Sequence, residues 1–400
     1  MSERYKEIVA IVSEVIDFID ADNAYCYEIG DGQINYVYRV EDVQGNSVVV
    51  KHADKAVRGS DSMLLSTHRS AIEHKQLQVI GEIVPNFVPE IYYYDKDRHI
   101  LIMEDLKDYE LLSEALLNYK IFPNFAAQIS RYLFETLFRT TDIVVPSRQK
   151  KQEAKALFNP EMCEITERLS FTEPYFPGEL LHYTPENEAF IRERIFENEQ
   201  LHFQVAYLKY RYKNFAQSML HGDLHTGSIF INQDTLKVFD PEFAFYGPMG
   251  FDIGTLIGNL YIPWMITYMT ATEDKVEFTF WMEETIERIL TRFFIEYDTN
   301  YDALVTDTMA RSDAYKEHMH RQIFSDSCGY AGVEIIRATI GSDRALGLKR
   351  SRSPEAQTQL ERILLGIGEK LILSRHDMVN GKNLVAEIRK WVDQLMQEYA

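Results

Sequence analysis

Apolar side chains recur at Ile8, Ile11, Val12, Val15, Ile16 and Ile19 with charges between them, the spacing of an amphipathic helix. The period then changes from helical to strand-like. In AYCYEIGDGQINYVYRVEDVQGNSVVVKHA, residues 24–53, aromatic and β-branched runs are broken at GDGQ and VQGN, which predicts three short antiparallel strands. A helix is predicted over 61–80, capped by Asp61, with Leu64, Ile72, Leu77 and Ile80 at helical intervals. VPEIYYYD and HILIMED, on either side of KDR, predict one more hairpin. The resulting order β-β-β-α-β-β, ending near Asp105, describes a compact α+β lobe.

From Tyr109 onward the pattern is mainly helical. Residues 189–220 carry apolar side chains at helical spacing with no Gly or Pro, which predicts one long helix running directly into HGDLH. SIFI and LKVF around NQDT predict a tight hairpin, and most of the remainder reads as helix. LIGNLYIPWMITYM, the longest apolar run, is too short and interrupted to span a bilayer and reads as buried helix and loop. No Pro/Gly/Ser-rich linker divides the chain. Two lobes packed around a cleft are expected: an antiparallel sheet lobe over 1–106 and a larger, mainly helical lobe over 107–400.

Composition narrows the function classes. With 46% apolar residues among 400 the chain can bury a large core, and 62 acidic against 42 basic side chains give a formal charge of −20. Such a surface repels nucleic acid and anionic membranes, so neither is an expected partner. The cysteines, Cys26, Cys163 and Cys328, are far apart, which fits a reducing compartment, the cytoplasm. The opening stretch does not read as a signal peptide.

Three elements carry candidate chemistry. GDGQIN, Gly30 to Asn35, lies between two strands, where glycines let backbone N–H groups approach phosphate oxygens; a plain β-turn has the same composition. Lys51 ends the strand SVVV, as either an edge charge or a cleft residue, and Glu73 on the next helix is placed to pair with it, a device that holds the α- and β-phosphates of a nucleotide. HGDLHTGSIF, residues 221–230, admits a metal site, a proton-transfer loop or an ordinary turn. No obvious further ligands accompany the histidines, so His221 and His225 are expected to brace the loop. The hairpin brings Asp223 near Asp240 and Glu242, seventeen and nineteen residues further on. Carboxylates gathered at a cleft mouth call for a cation. Mg²⁺, which takes one or two protein carboxylates together with phosphate oxygens, suits Asp240 and Glu242. Asp223 then remains to orient and deprotonate an attacking hydroxyl. Backbone groups of Met103, Glu104 and Leu106 in LIMEDL, at the lobe junction, are placed to meet a purine edge.

HGDLHTGSIF followed by DPEF resembles the aminoglycoside phosphotransferase and choline kinase superfamily. EIGDGQINYVYRV, LIMEDL, NPEMCEITE, MLHGDLHTGSIFI, DPEFAFYGPMGFDIGTLIGNL and GYAGVEIIR are closer still to the methylthioribose kinases of methionine salvage. The resemblance implies a two-lobed protein-kinase-like fold and transfer of the ATP γ-phosphoryl group to the anomeric hydroxyl of 5-methylthioribose by a Mg²⁺-dependent cytoplasmic homodimer. It implies Asp223 as base, with Arg337 beside sugar and transferring phosphate, and Asp240 and Glu242 as metal ligands. Lys51, Glu73 and Gly30, Asp31, Gly32, Gln33 and Asn35 would hold ATP. The chain departs from the family pattern at Ala338, where a second arginine is usual, and in having no tryptophan between Lys51 and Glu73. Ser228 agrees with the narrower family. An arginine restored at 338 would be expected to raise methylthioribose turnover, unless Arg344, Lys349 or Arg350 already fills that role. Asp252 is a candidate to steady the catalytic loop through its N–H groups. Kinases for 5-deoxyribose or another small alcohol, and a catalytically silent nucleotide-binding protein, are the alternatives.

Overall fold

The computed structural model describes residues 3–30, 35–55, 64–270, 273–350 and 352–398. Helix α1 (Glu3–Val15) precedes β1 (Ala24–Glu28), β2 (Tyr36–Asp42) and β3 (Ser47–His52). Helix α2 (His68–Ile83) then leads to β4 (Ile91–Asp95) and β5 (Ile100–Glu104). The five strands form one sheet in the order β1-β2-β3-β5-β4, with every pairing antiparallel.

Strand alternation sorts this lobe into two faces. Tyr38, Val40, Val48, Val50, Ile100 and Ile102 pack with Ile8, Ile11 and Val12 of α1. Leu101 and Met103 belong to the other face, in the larger core that includes Ile72, Leu77 and Ile80 of α2, with Val49 packed against it. Lys51 has the parity of Val49 and pairs with Val37 and Leu101 in register, so it points to the α2 side from the middle of the sheet. The predicted helix 61–80 starts later, at His68. Its expected cap Asp61 falls outside the described residues, and Leu64 is 70% exposed instead of buried.

The rest of the chain begins with β6 (Glu110–Leu111), α3 (Leu112–Leu117), α4 (Phe125–Leu133), α5 (Ser147–Ala156), α6 (Pro160–Leu169) and the short α7 (Glu188–Ile191). It continues through α8 (Glu199–Asn214), β7 (Ser218–Met219), β8 (Ile229–Ile231), β9 (Leu236–Val238) and β10 (Tyr246–Gly247). Four long helices close it: α9 (Gly250–Met269), α10 (Val276–Leu304), α11 (Asp313–Ile340) and α12 (Pro354–Leu373), followed by α13 (Gly381–Glu398). Buried α9 and α11 are at its centre. A Cβ at Gly254 would lie 2.6 Å from the Ser327 carbonyl oxygen, so glycine there sets how closely these helices approach.

The long helix expected over 189–220 is not continuous. After α7 a wider π turn spans Arg192–Phe196, and Asn198 takes an extended backbone whose side chain accepts the Leu201 N–H at 3.0 Å. An asparagine amide competing for backbone groups ends one helix and caps the next without Gly or Pro. Nor does helix run into HGDLH. Helix α8 stops at Asn214, and β7 pairs with β10 before the loop begins. The apolar run 256–269 is helix throughout, Pro263 included.

Candidate active site

The loop 221–228 is shaped from below by α9. Asp252, in its first turn, accepts the backbone N–H groups of His221 at 2.7 Å and Gly222 at 3.1 Å, the steadying role its position suggested. Burial pushes the Asp252 carboxyl up to about 7. Gly222 has φ +84°, and a Cβ there would stand 2.2 Å from the Phe243 carbonyl oxygen, so any side chain would displace the loop. Both histidines brace it. His221 meets the Phe239 carbonyl through Nε2 at 2.9 Å, and its Nδ1 accepts the Asp223 N–H at 3.3 Å. Burial lowers the His221 pKa, consistent with this neutral tautomer. His225 accepts the Gly227 N–H on Nδ1 at 2.9 Å and turns Nε2 toward the Asp223 carboxylate at 3.4 Å. Ser228 donates its hydroxyl to the Asp223 carbonyl at 2.9 Å.

The Asp223 carboxylate is 40% exposed. Desolvation would raise its pKa, but His225, which turns Nε2 to the carboxylate, and the Arg337 guanidinium outweigh that and hold it at about 2. It is therefore an ionised acceptor at any physiological pH.

Antiparallel pairing of β8 with β9, Ile229 opposite Val238, returns the chain so that Asp223 and Asp240 both act electrostatically on His221. Asp240 has φ +66°, a left-handed backbone uncommon outside glycine, and its carboxylate is bonded by the Lys51 ammonium. Lys51 also reaches Glu73, at 2.9 Å to Oε1 and 2.8 Å to Oε2. Burial opposes its charge, but Asp240, Glu73 and Glu242 more than compensate and keep it protonated. Glu242 accepts from Asn35 Nδ2 at 2.9 Å and lies 3.5 Å from Arg69 Nε. Burial and the charge of Asp240 lift its carboxyl to about 7, against the pull of Lys51, Asn35 and Arg69. Three carboxylates converge here on one ammonium. Their hard oxygen donors and excess negative charge fit a divalent cation such as Mg²⁺, with Asp240 and Glu242 the residues able to hold it.

Arg337 approaches Asp223 from α11. Its guanidinium forks onto Glu334 with two bonds of 2.7 Å, and Glu334 also accepts from Asn259, which takes the Thr226 N–H at 3.1 Å. Asp223, His225 and Arg337 line a cavity of about 100 Å³ walled by Ile165, Phe243 and Phe251. A second cavity of about 200 Å³ shares His225 and Arg337 and is bounded by Leu116, Ile262 and Leu346. Arg344 lines the latter while bonding the buried Glu361 at 2.8 Å. Arg350 turns away to the Leu117 carbonyl. Ala338 is fully buried in α11 and lines neither of these two cavities.

The structure thus brings together Asn35, Lys51, Glu73, Asp240 and Glu242, and separately Asp223 and Arg337, with His221 between the groups. Gly30 has φ +74° and open space around its Cβ position, while Asp31, Gly32 and Gln33 lie outside the described residues. Met103, Glu104 and Leu106 lie where β5 leaves the sheet; the Glu104 carboxylate pairs with Lys237 at 3.0 Å. Sequence reasoning missed Arg69, Asn159, Asn259 and Glu334. Arg69 carried a signal, since it stands four residues before Glu73 on the same helix face. Asn159, whose Nδ2 holds the Glu242 and Ala244 carbonyls at 2.9 and 3.1 Å, was visible only as part of NPEMCEITE.

A β-sheet lobe delivering a paired lysine to a carboxylate hairpin, beside an aspartate loop carried by helices, defines a two-lobed phosphotransferase. Residues 26–280 match the phosphotransferase enzyme family, and the chain belongs to it. Among curated proteins it is similar to the methylthioribose kinase of Geobacillus sp. (strain WCH70), 34% identical over 90% of this chain and 88% of that protein. The methylthioribose kinase of Bacillus cereus (strain B4264) is 32% identical over 89% of this chain and 88% of its own length. Among solved structures, an ethanolamine kinase of Plasmodium vivax is 12% identical, with a TM-score of 0.48, over 94% of this chain and 89% of that one.

Proposed function

We propose that this chain transfers the γ-phosphoryl group of ATP to the 1-hydroxyl of 5-methylthioribose. The observation that carries the reading is the placement of Asp223, ionised and facing a cavity, beside the Lys51, Asp240 and Glu242 cluster. In this reading Lys51, held by Glu73, positions the nucleotide phosphates, and Gly30 to Asn35 cover them. Asp240 and Glu242 would hold Mg²⁺, which would supply positive charge to offset that of the phosphates. Asp223 accepts the proton of the sugar hydroxyl as it attacks the γ-phosphorus in line with the departing ADP oxygen. Its low pKa makes it an orienting group first, because a carboxylate at about 2 gains the proton only as the new O–P bond forms. Arg337, fixed by Glu334, faces the charge on the transferring group. The aliphatic and aromatic walls around Asp223 suit an uncharged 5-alkylthio substituent.

Coupled ADP release with Mg-ATP against 5-methylthioribose, 5-deoxyribose, ribose, choline and an aminoglycoside tests this. Strong preference for methylthioribose is the expected result. Activity confined to another acceptor would keep the chemistry and overturn the substrate, and no ADP release with any acceptor would overturn the catalytic reading. Three free cysteines, Cys26, Cys163 and Cys328, support a cytoplasmic setting. We also infer a homodimer, supported by the exposed aromatic stripe Phe203, Tyr207 and Tyr210 on α8; light scattering that gives a monomer mass at micromolar concentration would remove it.

A further inference from the structure

Arg69 is among the most deeply buried charges of the chain, at 1% exposure, yet no catalytic step described above uses it. Its bonds run to Asn35, to the chain after β3 and to the residues just before α2. Its Nε and one terminal nitrogen donate to Asn35 Oδ1 at 3.1 and 2.8 Å. The same terminal nitrogen reaches the Asp54 carbonyl at 2.8 Å, just beyond the strand that carries Lys51, and the other reaches the Ser66 carbonyl at 2.9 Å. Its Nε also lies 3.5 Å from Glu242 Oε2, the oxygen that accepts from Asn35 Nδ2 at 2.9 Å.

Asn35 and Arg69 therefore form a closed triangle with Glu242. Asn35 stands just before β2, Arg69 belongs to α2, and Glu242 follows β9 in the other lobe. Asn35 gives its N–H to the carboxylate and receives Arg69 on its carbonyl oxygen, so the guanidinium fixes which way round the amide sits. A flipped amide would set an oxygen against the Glu242 carboxylate. Among the described residues both contacts fall on Oε2, and Oε1 is the oxygen that would serve a metal.

We propose that Arg69 is a positioning residue for divalent-metal binding: through Asn35 it orients Glu242 and ties that orientation to α2, the helix that also carries Glu73. The inference rests on the reading of Glu242 as a metal ligand. Partners behind a ligand usually change metal affinity by roughly 10 to 100-fold when removed. Lysine cannot reproduce the role, since it lacks the planar fork that reaches Asn35 and the two carbonyls together.

The test titrates ADP, a nucleotide that cannot transfer a phosphoryl group, with and without Mn²⁺, following nucleotide by calorimetry and bound Mn²⁺ by electron paramagnetic resonance. Arg69→Met and Arg69→Lys should each weaken the metal-dependent part of binding by about tenfold or more and leave metal-free ADP binding within about twofold. Asn35→Ala should also weaken the metal-dependent part, whatever it does to metal-free ADP binding, and the double variant Arg69→Met with Asn35→Ala should lose little of the metal-dependent part beyond the larger single loss, because both act on one carboxylate. Should Arg69→Met not fold, Arg69→Lys carries the test alone, since it keeps a cation near Glu242 but loses the fork onto Asn35. Equal loss of metal-dependent and metal-free binding in the Arg69 variants, or no loss, would overturn the proposal. Glu242→Gln separates the two levels. If it impairs metal-dependent binding while the Arg69 and Asn35 variants do not, only the positioning role falls; if it too has no effect, the metal-ligand reading falls and takes the proposal with it.

Discussion

Asp223 works in a setting that keeps its proton off, with His225 at 3.4 Å and Arg337 nearby. Replacement by alanine removes the proton acceptor but none of the groups that face the nucleotide. Turnover of Asp223→Ala should fall by roughly 10²- to 10⁴-fold, the usual worth of a positioned base, with ADP affinity changed less than about twofold. Loss of ADP binding in a calorimetric titration would contradict that assignment. Ala338 illustrates the opposite case. Judged by sequence alone, an arginine there should help the reaction, but the side chain points into packed α11 surroundings with no exposed surface. Ala338→Arg should instead destabilise the fold by more than about 3 kcal/mol, the cost of an unpaired buried charge, seen as a marked drop in Tm. A variant of unchanged Tm with raised turnover would show that the side chain finds the acceptor cavity.

At the scale of elements, the sheet lobe and the aspartate hairpin were readable because each rests on local rules. Period-two alternation fixed the faces of β2, β3 and β5, and a four-residue turn between SIFI and LKVF fixed the pairing that returns Asp240 toward Asp223. The break before α8 was not readable, because Asn198 ends a helix through a side-chain bond that leaves no mark in hydrophobic spacing. The start of α2 was misplaced for a related reason: apolar Leu64 continued a helical pattern that the chain does not bury. Arg69 escaped notice because Glu242 lies in the other lobe, and Asn259 because Thr226 and Glu334 lie in distant elements. Asn198→Ala should cost about 1 kcal/mol as a lost cap and lower Tm without altering KM for either substrate. A selective change in KM would mean that the break shapes the cleft.

For the molecule as a whole, the two lobes share an apolar core and are tied at the cleft through charge. Lys51 and Asn35 come from the sheet lobe, Asp240 and Glu242 from the hairpin, and Lys237 beside that hairpin bonds Glu104 and the Val88 carbonyl across the junction. The raised pKa of Glu242, at about 7, makes metal binding compete with a proton. Below that pH the apparent Mg²⁺ affinity of the ADP complex should fall by up to about tenfold per unit, and above it the affinity should level off. Without metal the same shift acts on stability with the opposite sense. Between the ordinary 4.5 and about 7 the folded chain holds a proton that the unfolded chain has released, so this group's contribution to stability declines as pH rises through that interval. Mg²⁺ titrations at pH 6, 7 and 8 check the first statement; a pH-independent affinity would refute it.

The bond between Lys51 and Asp240 has a consequence for the order in which ligands arrive. A bare divalent ion reaching Asp240 meets a rival cation that is tethered to the same molecule and cannot diffuse away. ADP or ATP arriving without metal meets Asp240 and Glu73 with the Lys51 ammonium between them, and Glu242 beside Arg69. Together, the two ligands relieve each other: phosphate oxygens offer the lysine another anion, and the carboxylate so released is free for the metal. Each should therefore bind better in the other's presence, and by thermodynamic linkage the factor is the same from either side.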